Sequence, residues 1–282
     1  MNEGVIGLTP ITDREFKLIR ELVYSRFGIA LGDQKRSLVV GRLNKIIRQG
    51  GFRSFKEYYD YVVEDSSGKA ILTLIDRIST NHTFFYREND HFEYFVKTAL
   101  PASLNIQRSM RKDDFRIWVA GCSSGEEPYT LGMLLMEALG KDFKKWKTGI
   151  LATDISTQAL EKSVAGIYSA ENVAHLPKTL QNKYFKRIDK ANYEVVDDLK
   201  KLITYRRLNL MRPNYPFKKK FHHIFCRNVM IYFDRPTRDD LVRKFYQYTE
   251  PGGFLFIGHS ETLGRDDAYY QYIKPAIYRK AN

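Results

Sequence analysis

From Phe115 onward the chain alternates short apolar runs with amphipathic helical stretches, and this alternation restricts the fold more than any single motif does. "FRIWVAGC" reads as a buried strand and "PYTLGMLLMEALG" as a helix, and "KTGILATDIS" with "STQALEKSVAG" repeats the pair. Later, "FHHIFCRNVMIYF", "RPTRDDLVRKFYQYTEPGG" and "FLFIGHS" give strand, helix and strand, the helix stopped by Pro-Gly-Gly. Parallel strands need a long crossover, and helical crossovers cover both faces of the sheet, so the pattern predicts a doubly wound, mainly parallel α/β sheet. From Thr12 to about Ile78 the periodicity is helical instead, with a cap at Thr12 or Asp13, a stop at Gly28, a further cap at Asp33 and a stop at Gly50-Gly51. Between about Pro177 and Arg207 the alternation lapses. There "NYEVVDDLKKLITYRRL" carries β-like runs around a turn, which predicts a small antiparallel insertion. The expected organisation is an all-helical domain over residues 1–78 and an α/β domain over 79–282, with a β-subdomain inserted at about 177–207.

At 282 residues with 43% hydrophobic side chains, the chain can bury a core in each of two domains. No basic segment followed by an apolar one opens the sequence, so no secretory signal is expected, and no apolar run approaches the roughly 18 residues of a membrane span. Cys122 and Cys226 lie far apart in strand-like contexts, which suits buried thiols in a reducing cytoplasm. His222 and His223 are adjacent on a strand and point to opposite faces, so no metal site is expected there. A net charge of +13 favours anionic partners, whether nucleic acid, an acidic membrane surface or an acidic protein.

In a doubly wound sheet, ligands bind beyond the carboxyl ends of the strands. Those ends read "AGCSSGEE", "TDIS", "RLNLM" and "CRNVMIYF". Gly121, Ser123, Ser124 and Gly125 would let backbone approach a ligand closely. Asp154 is placed to accept from ribose hydroxyls, although a strand-end Asp also caps helices and Ser156 competes for that role. Asn209 offers an adenine edge both a donor and an acceptor. The spacing is not Gly-x-Gly-x-x-Gly, and Glu126-Glu127 would repel a pyrophosphate. A nucleoside bearing an ammonium and a sulfonium would instead be attracted. The alternative is that both glutamates complement the dipole at a helix N-terminus.

Five segments in order, "STNHTFFYRE" (79–88), "GCSSGEEPYTLGM" (121–133), "ATDIS" (152–156), "FCRNVMIYFD" (225–234) and "GGFLFIGHSE" (252–261), resemble the chemotaxis receptor methyltransferases (CheR) over nearly the whole chain. These are S-adenosylmethionine-dependent protein-glutamate O-methyltransferases. The resemblance implies a Rossmann-like methyltransferase fold, a helical receptor-recognition domain and an inserted β-subdomain. It implies cofactor contacts from Asn81, Thr83 and Arg87, from Glu127 or its neighbour Glu126, and from Asp154. It further implies that Asn209 and Leu210 flank the adenine, that Arg227 and Asn228 line the fourth strand end, and that Tyr232 faces the methyl-transfer centre. Arg87 is then assigned to the cofactor carboxylate or the pocket wall, and Tyr232 to orienting the substrate carboxylate. S-adenosylhomocysteine is the product. The implied partner is the cytoplasmic helical region of the receptors, met by a monomer in the cytoplasm with no membrane insertion and no nucleic acid.

On a helical wheel "KRSLVVGRLNKIIRQ" collects Val39, Val40, Leu43, Ile46 and Ile47 on one face and Arg42, Lys45 and Arg48 on the other. The second face is expected to meet the receptor, or to be ordinary solvated surface. One departure from the family stands out: "KRIDKANYEVVDDLKKL" holds no glycine, where members that tether a receptor C-terminal peptide carry a glycine-rich loop. Two rivals remain. An RNA or DNA methyltransferase would suit the charge, but "RNVMIY" stands where base-amino methylation commonly has Asn/Asp-Pro-Pro-aromatic, and no Pro-Cys nucleophile is present. A non-catalytic cofactor-binding signalling adaptor is the other.

Overall fold

A computed structural model describes residues 9–79, 82–264 and 268–281. The chain divides into two units, Met1–Thr80 with Tyr232–Asp234 and Asn81–Ile231 with Arg235–Asn282. Among the described residues, no helix is long and apolar enough to cross a membrane.

The smaller unit holds α1 (Asp13–Phe27), α2 (Arg36–Gln49), α3 (Phe55–Glu64) and α4 (Lys69–Ile78). Helix α1 starts at Thr12 because the Thr12 hydroxyl accepts from Glu15 N–H while the Glu15 carboxylate accepts from Thr12 N–H, a reciprocal capping box. It ends at Gly28, whose φ of 70° suits glycine. Phe16, Ile19 and Val23 of α1 are buried, as are Val39, Leu43 and Ile47 of α2 and Leu74, Ile75 and Ile78 of α4. Asp33 does not cap α2 directly; Asp33–Lys35 forms a 3-10 turn ahead of it. Tyr232–Asp234 joins this unit through two backbone contacts and one between side chains: Ala30 N–H donates to the Tyr232 carbonyl at 2.8 Å, Ile29 bridges Phe233, and the Tyr24 hydroxyl donates to the Asp234 carboxylate at 2.7 Å.

The larger unit opens with α5 (Asn89–Tyr94), a π-turn over Phe95–Ala99 and α6 (Leu100–Ser109). Strands β1 (Asp114–Ala120), β2 (Lys147–Asp154), β3 (Ile167–Ser169), β4 (Phe185–Arg187), β5 (Asn192–Val195), β6 (Ile203–Arg207), β7 (Phe221–Cys226), β8 (Thr249–Ile257), β9 (Gln271–Lys274) and β10 (Ile277–Arg279) follow. Helices α7 (Glu126–Leu139), α8 (Thr157–Ala165), α9 (Ala170–Ala174), α10 (Lys178–Tyr184), α11 (Asp197–Lys201) and α12 (Arg235–Tyr248) connect them. A seven-stranded sheet runs β6-β2-β1-β7-β8-β10-β9. The pairs from β6 to β8 are parallel, and β10 is antiparallel to both of its neighbours. Chain order departs to one side of β1 through β2 and to the other through β7, which puts the switch point where β1 meets β7.

The small antiparallel sheet runs β3-β5-β4, so it draws a strand from upstream of the predicted interruption. "ITYRR", read above as part of that insertion, is instead β6, an edge strand of the main sheet parallel to β2. Helix α11 separates it from β5 and turns the chain away before a hairpin can form. His222 and His223 are buried among aromatic rings, with His222 stacked on Phe115 and accepting from Arg116 N–H at 3.0 Å. Burial, then Arg116, holds the His222 pKa down at about 4. Cys122 and Cys226 are free, buried thiols.

Candidate functional site

The carboxyl ends of β1, β2, β6, β7 and β8 gather an unusual density of carboxylates. After β1 the chain turns through Gly121, φ 87°, Ser123, φ 49°, and Gly125, φ 96°, before α7 begins at Glu126. The glycines are required by protein neighbours as well as by φ. A Cβ on Gly121 would lie 2.3 Å from Val229 Cγ2, and one on Gly125 would lie 2.8 Å from the Tyr168 hydroxyl. The small residues therefore seat the turn against the β7 loop and the small sheet, a different reason from the ligand approach expected above.

Glu126 and Glu127, successive on α7, go to different neighbours. Glu126 is buried and accepts from the Ser124 hydroxyl at 2.7 Å, and burial pushes its pKa up to about 7. Glu127 accepts from Arg227 Nη1 at 2.7 Å; burial still raises its carboxyl above the ordinary range, with Arg227 opposing. Arg227 has a side chain only 1% exposed. Its Nη2 donates to Glu88 at 3.1 Å and to the Arg87 carbonyl, and its guanidinium lies 5.0 Å from the Phe92 ring centroid. Burial works against the charged form of Glu88, but Arg227 and the hydrogen bond from Asn228 outweigh it and hold the pKa low. Asn228, itself at φ 58°, donates through Nδ2 to Glu88 at 3.1 Å. Tyr86, Glu88, Ser123 and Asn228 are all non-glycine residues at positive φ, and such strain collects where a site is pre-shaped.

At the end of β2, Ser156 caps α8, its hydroxyl accepting from Ala159 N–H at 3.0 Å. That leaves Asp154 a different task. Its carboxylate accepts from Ser123 N–H at 2.7 Å and from Ser156 N–H at 2.9 Å, tying the first strand-end loop to the second. Asp154 pairs in register with Arg207, so Asn209 and the buried Leu210 come just beyond the neighbouring strand end. The Asn209 side-chain oxygen accepts from Met211 N–H at 2.9 Å, which shapes that turn.

The other expected residues fall as follows. Arg87 is half-buried and donates to the His82 carbonyl at 2.8 Å; Thr83 is half-buried; Asn81 lies outside the described residues. Tyr232 belongs to the helical unit, whereas the residues before it, from Arg227 to Ile231, belong to the larger one. Within the helical unit, Lys45 and Arg48 are exposed on α2. Arg42 is half-buried, and its Nη1 donates to the carbonyls of Ile78 and, at 3.0 Å, Ser79, capping the end of α4. Three residues were not singled out from sequence. Asn44 is buried in α2 and bonds the backbone of Thr9 in both directions. Glu88 and Glu261 both sit at the ends of quoted motifs, where a lone carboxylate closing an apolar segment was the available signal. Glu88, His91 and His259 also bring ligand atoms within 4.8 Å of one another. A dication there would stand beside the buried Arg227 guanidinium, so the cluster is an extension of the ion-pair network; His259 Nε2 lies 2.9 Å from Asp90.

Glu88, Glu126, Glu127 and Asp154 lie at this edge with one buried guanidinium among them, that of Arg227. Carboxyl groups gathered in this way suit a cationic nucleoside better than a phosphate, so the residues fit S-adenosylmethionine.

Comparison with known proteins agrees. Residues 81–278 match the CheR methyltransferase SAM-binding domain, and residues 14–79 match the CheR methyltransferase all-alpha domain. The chain is 42% identical over 270 residues to the chemotaxis protein methyltransferase of Borreliella burgdorferi, covering 96% of this chain and 95% of that protein. It is 36% identical to the probable chemotaxis protein methyltransferase of Rhizobium etli, covering 92% and 100%. The chemotaxis protein methyltransferase of Escherichia coli is 35% identical, with 90% and 86% covered.

Proposed function

Because the chain belongs to the CheR methyltransferase family, we propose that it methylates glutamate side chains on the cytoplasmic helices of chemotaxis receptors, working in the cytoplasm as a monomer that does not enter the membrane. S-adenosylmethionine is its methyl donor. The observation that carries the reading is the pair of carboxylates, Glu88 and Glu127, held around Arg227; the chemistry itself needs no general base. A glutamate substrate has an ordinary pKa near ~4.3 and is already a nucleophile at neutral pH.

The bound donor supplies an electrophilic methyl group on a sulfonium. With the donor held there, a substrate carboxylate oxygen would take the methyl as the C–S bond breaks, so that two charged groups would become a neutral ester and a neutral thioether. A strong cation on the nucleophile would stabilise the ground state more than the transition state, so the site benefits from donors that are neutral or already paired. Arg227 is paired, with Glu127 and Glu88. In this reading Asp154 accepts from the ribose, Asn209 and Leu210 bracket the adenine, and Glu126 or Glu127 faces the cofactor ammonium. Asn81, Thr83 and Arg87 would contact the cofactor, Arg227 and Asn228 would line the fourth strand end, and Tyr232 would orient the substrate carboxylate. Lys45 and Arg48 meet the receptor. Catalysis is then mostly alignment of oxygen, methyl and sulfur.

The test is methyl transfer from radiolabelled cofactor to a receptor cytoplasmic fragment, with total RNA in parallel. Label should appear on the fragment and be released as methanol by mild base, as a carboxyl ester requires. Base-stable label, or label on RNA alone, overturns the reading. Binding of cofactor with no transfer to either would leave a cofactor-binding adaptor.

A further inference from the structure

Glu261 lies beyond β8 and is 6% exposed. Its carboxylate reaches across the ends of two strands to collect backbone N–H groups. Oε2 accepts from Gly258 N–H at 2.5 Å and from Asn228 N–H at 3.0 Å, while Oε1 accepts from Ile231 N–H at 3.1 Å. A carboxylate is acceptor-only, and both its oxygens are satisfied by donors that have no partner within a strand. A Cβ on Gly258 would lie 2.5 Å from Asn228 Nδ2 and 2.9 Å from Glu261 Oε2, so the two loops close on each other with no spare volume. Asn228 is consequently gripped twice. Glu261 holds its backbone N–H at a positive φ, and Glu88 holds its side-chain Nδ2. With Nδ2 directed at an acceptor-only carboxylate, the amide retains its carbonyl oxygen for a ligand, an acceptor suited to an N–H donor.

We propose that Glu261 is a positioning residue for the cofactor: by binding the N–H groups of Asn228, Ile231 and Gly258 it sets the β7 turn that presents Asn228 and Arg227 to the donor. The inference rests on the cofactor reading above. It separates from mere stabilisation because the affected turn carries the ligand contacts.

The experiment compares Glu261→Gln and Glu261→Asp with the natural protein, measuring binding of S-adenosylhomocysteine by calorimetry, thermal unfolding, and KM for a receptor fragment. The Gln side chain fills the same volume but turns an NH2 group toward a backbone N–H. It should remain folded and bind S-adenosylhomocysteine about tenfold or more weakly, as expected when a charge-assisted hydrogen bond is lost. The fragment KM should not change. The Asp side chain keeps both acceptor oxygens and should restore part of the affinity. If Glu261→Gln melts lower yet its folded form binds S-adenosylhomocysteine like the natural protein, the inference is overturned. It is equally overturned if neither variant can be obtained folded, because Glu261 then acts on stability alone. A natural protein that fails to bind S-adenosylhomocysteine would sink the cofactor reading and this inference with it; natural binding matched by Glu261→Gln sinks this inference only.

Discussion

Arg227 and the Lys45–Arg48 face of α2 both supply positive charge, under opposite physical conditions. Arg227 is out of water, divided between two carboxylates, a carbonyl and an aromatic face. Lys45 and Arg48 are exposed, where salt and solvent screen them. The contrast teaches that charge number alone does not rank these residues. In the larger unit a cation fixes geometry and its loss is felt as stability and ligand affinity. On the helical unit, in the proposed receptor contact, a cation would act at a distance and its loss would be felt as association rate.

Breaking the buried side should give the largest effect. Arg227→Met leaves the half-buried Glu127 and Glu88 without their partner, which costs up to about 3–5 kcal/mol of stability, the range for a severed buried pair. Urea unfolding measures it. Arg227→Lys should rescue little, since a single ammonium cannot reach Glu127, Glu88 and the Arg87 carbonyl in different directions. Unfolding of Arg227→Met at the natural urea midpoint would remove the ion-pair network from any structural role.

Next comes Glu126. Burial raises its folded pKa from the ordinary carboxyl range to about 7. An acid whose pKa is raised on folding favours the folded state most below its unfolded pKa, and that benefit disappears as pH climbs through the folded pKa. The natural protein should therefore lose up to about 3 kcal/mol between pH ~4.5 and ~7 relative to Glu126→Gln. Parallel stability curves for the two proteins over that range would contradict the buried, easily protonated carboxyl.

Asp154→Ala should weaken S-adenosylhomocysteine binding by about 1.5–3 kcal/mol if the carboxylate accepts from ribose. Stability should fall as well, because the Ser123 and Ser156 N–H groups lose their acceptor. Calorimetry that finds natural affinity in a variant with lowered melting temperature would make Asp154 a loop tie only.

These residues also show what can be read from sequence. The central strands were legible because they are buried on both faces; β1 is buried at Phe115 and from Ile117 to Ala120. An edge strand exposes one side, so β6 shows alternate exposure and imitated an antiparallel ribbon. Strands β9 and β10 went unread, being four and three residues long. The site was legible as a set of strand ends and as residue types. Its wiring was not, because Arg227 meets Glu127 across 100 residues and Asn228 meets Glu88 across 140. Neither pairing has a local signature. Asp154 was expected to contact the ribose, and its hold on Ser123 could not be read because it depends on β1 and β2 lying side by side.

The smallest effect, and the sharpest test of the comparison, lies on α2. Arg42 was grouped with Lys45 and Arg48 by the helical wheel, yet its guanidinium caps α4. Reversing it would injure the helical unit and blur any effect on recognition, so Lys45→Glu with Arg48→Glu is the cleaner change. Both positions are exposed, and stability should move by no more than about 1 kcal/mol. S-adenosylhomocysteine binding should stay the same. Methylation of a receptor fragment should slow, because two reversed charges now repel the acidic helices that carry the target glutamates. The slowing should be largest in low salt and shrink toward physiological ionic strength, where the Debye length falls to about 8 Å. Arg42→Ala serves as the contrast, lowering thermal stability through the lost cap while leaving the salt dependence of methylation nearly intact. Should the Lys45–Arg48 double variant methylate the fragment at the natural rate in low salt, this face of α2 is solvated surface, and recognition must be sought on another part of the helical unit.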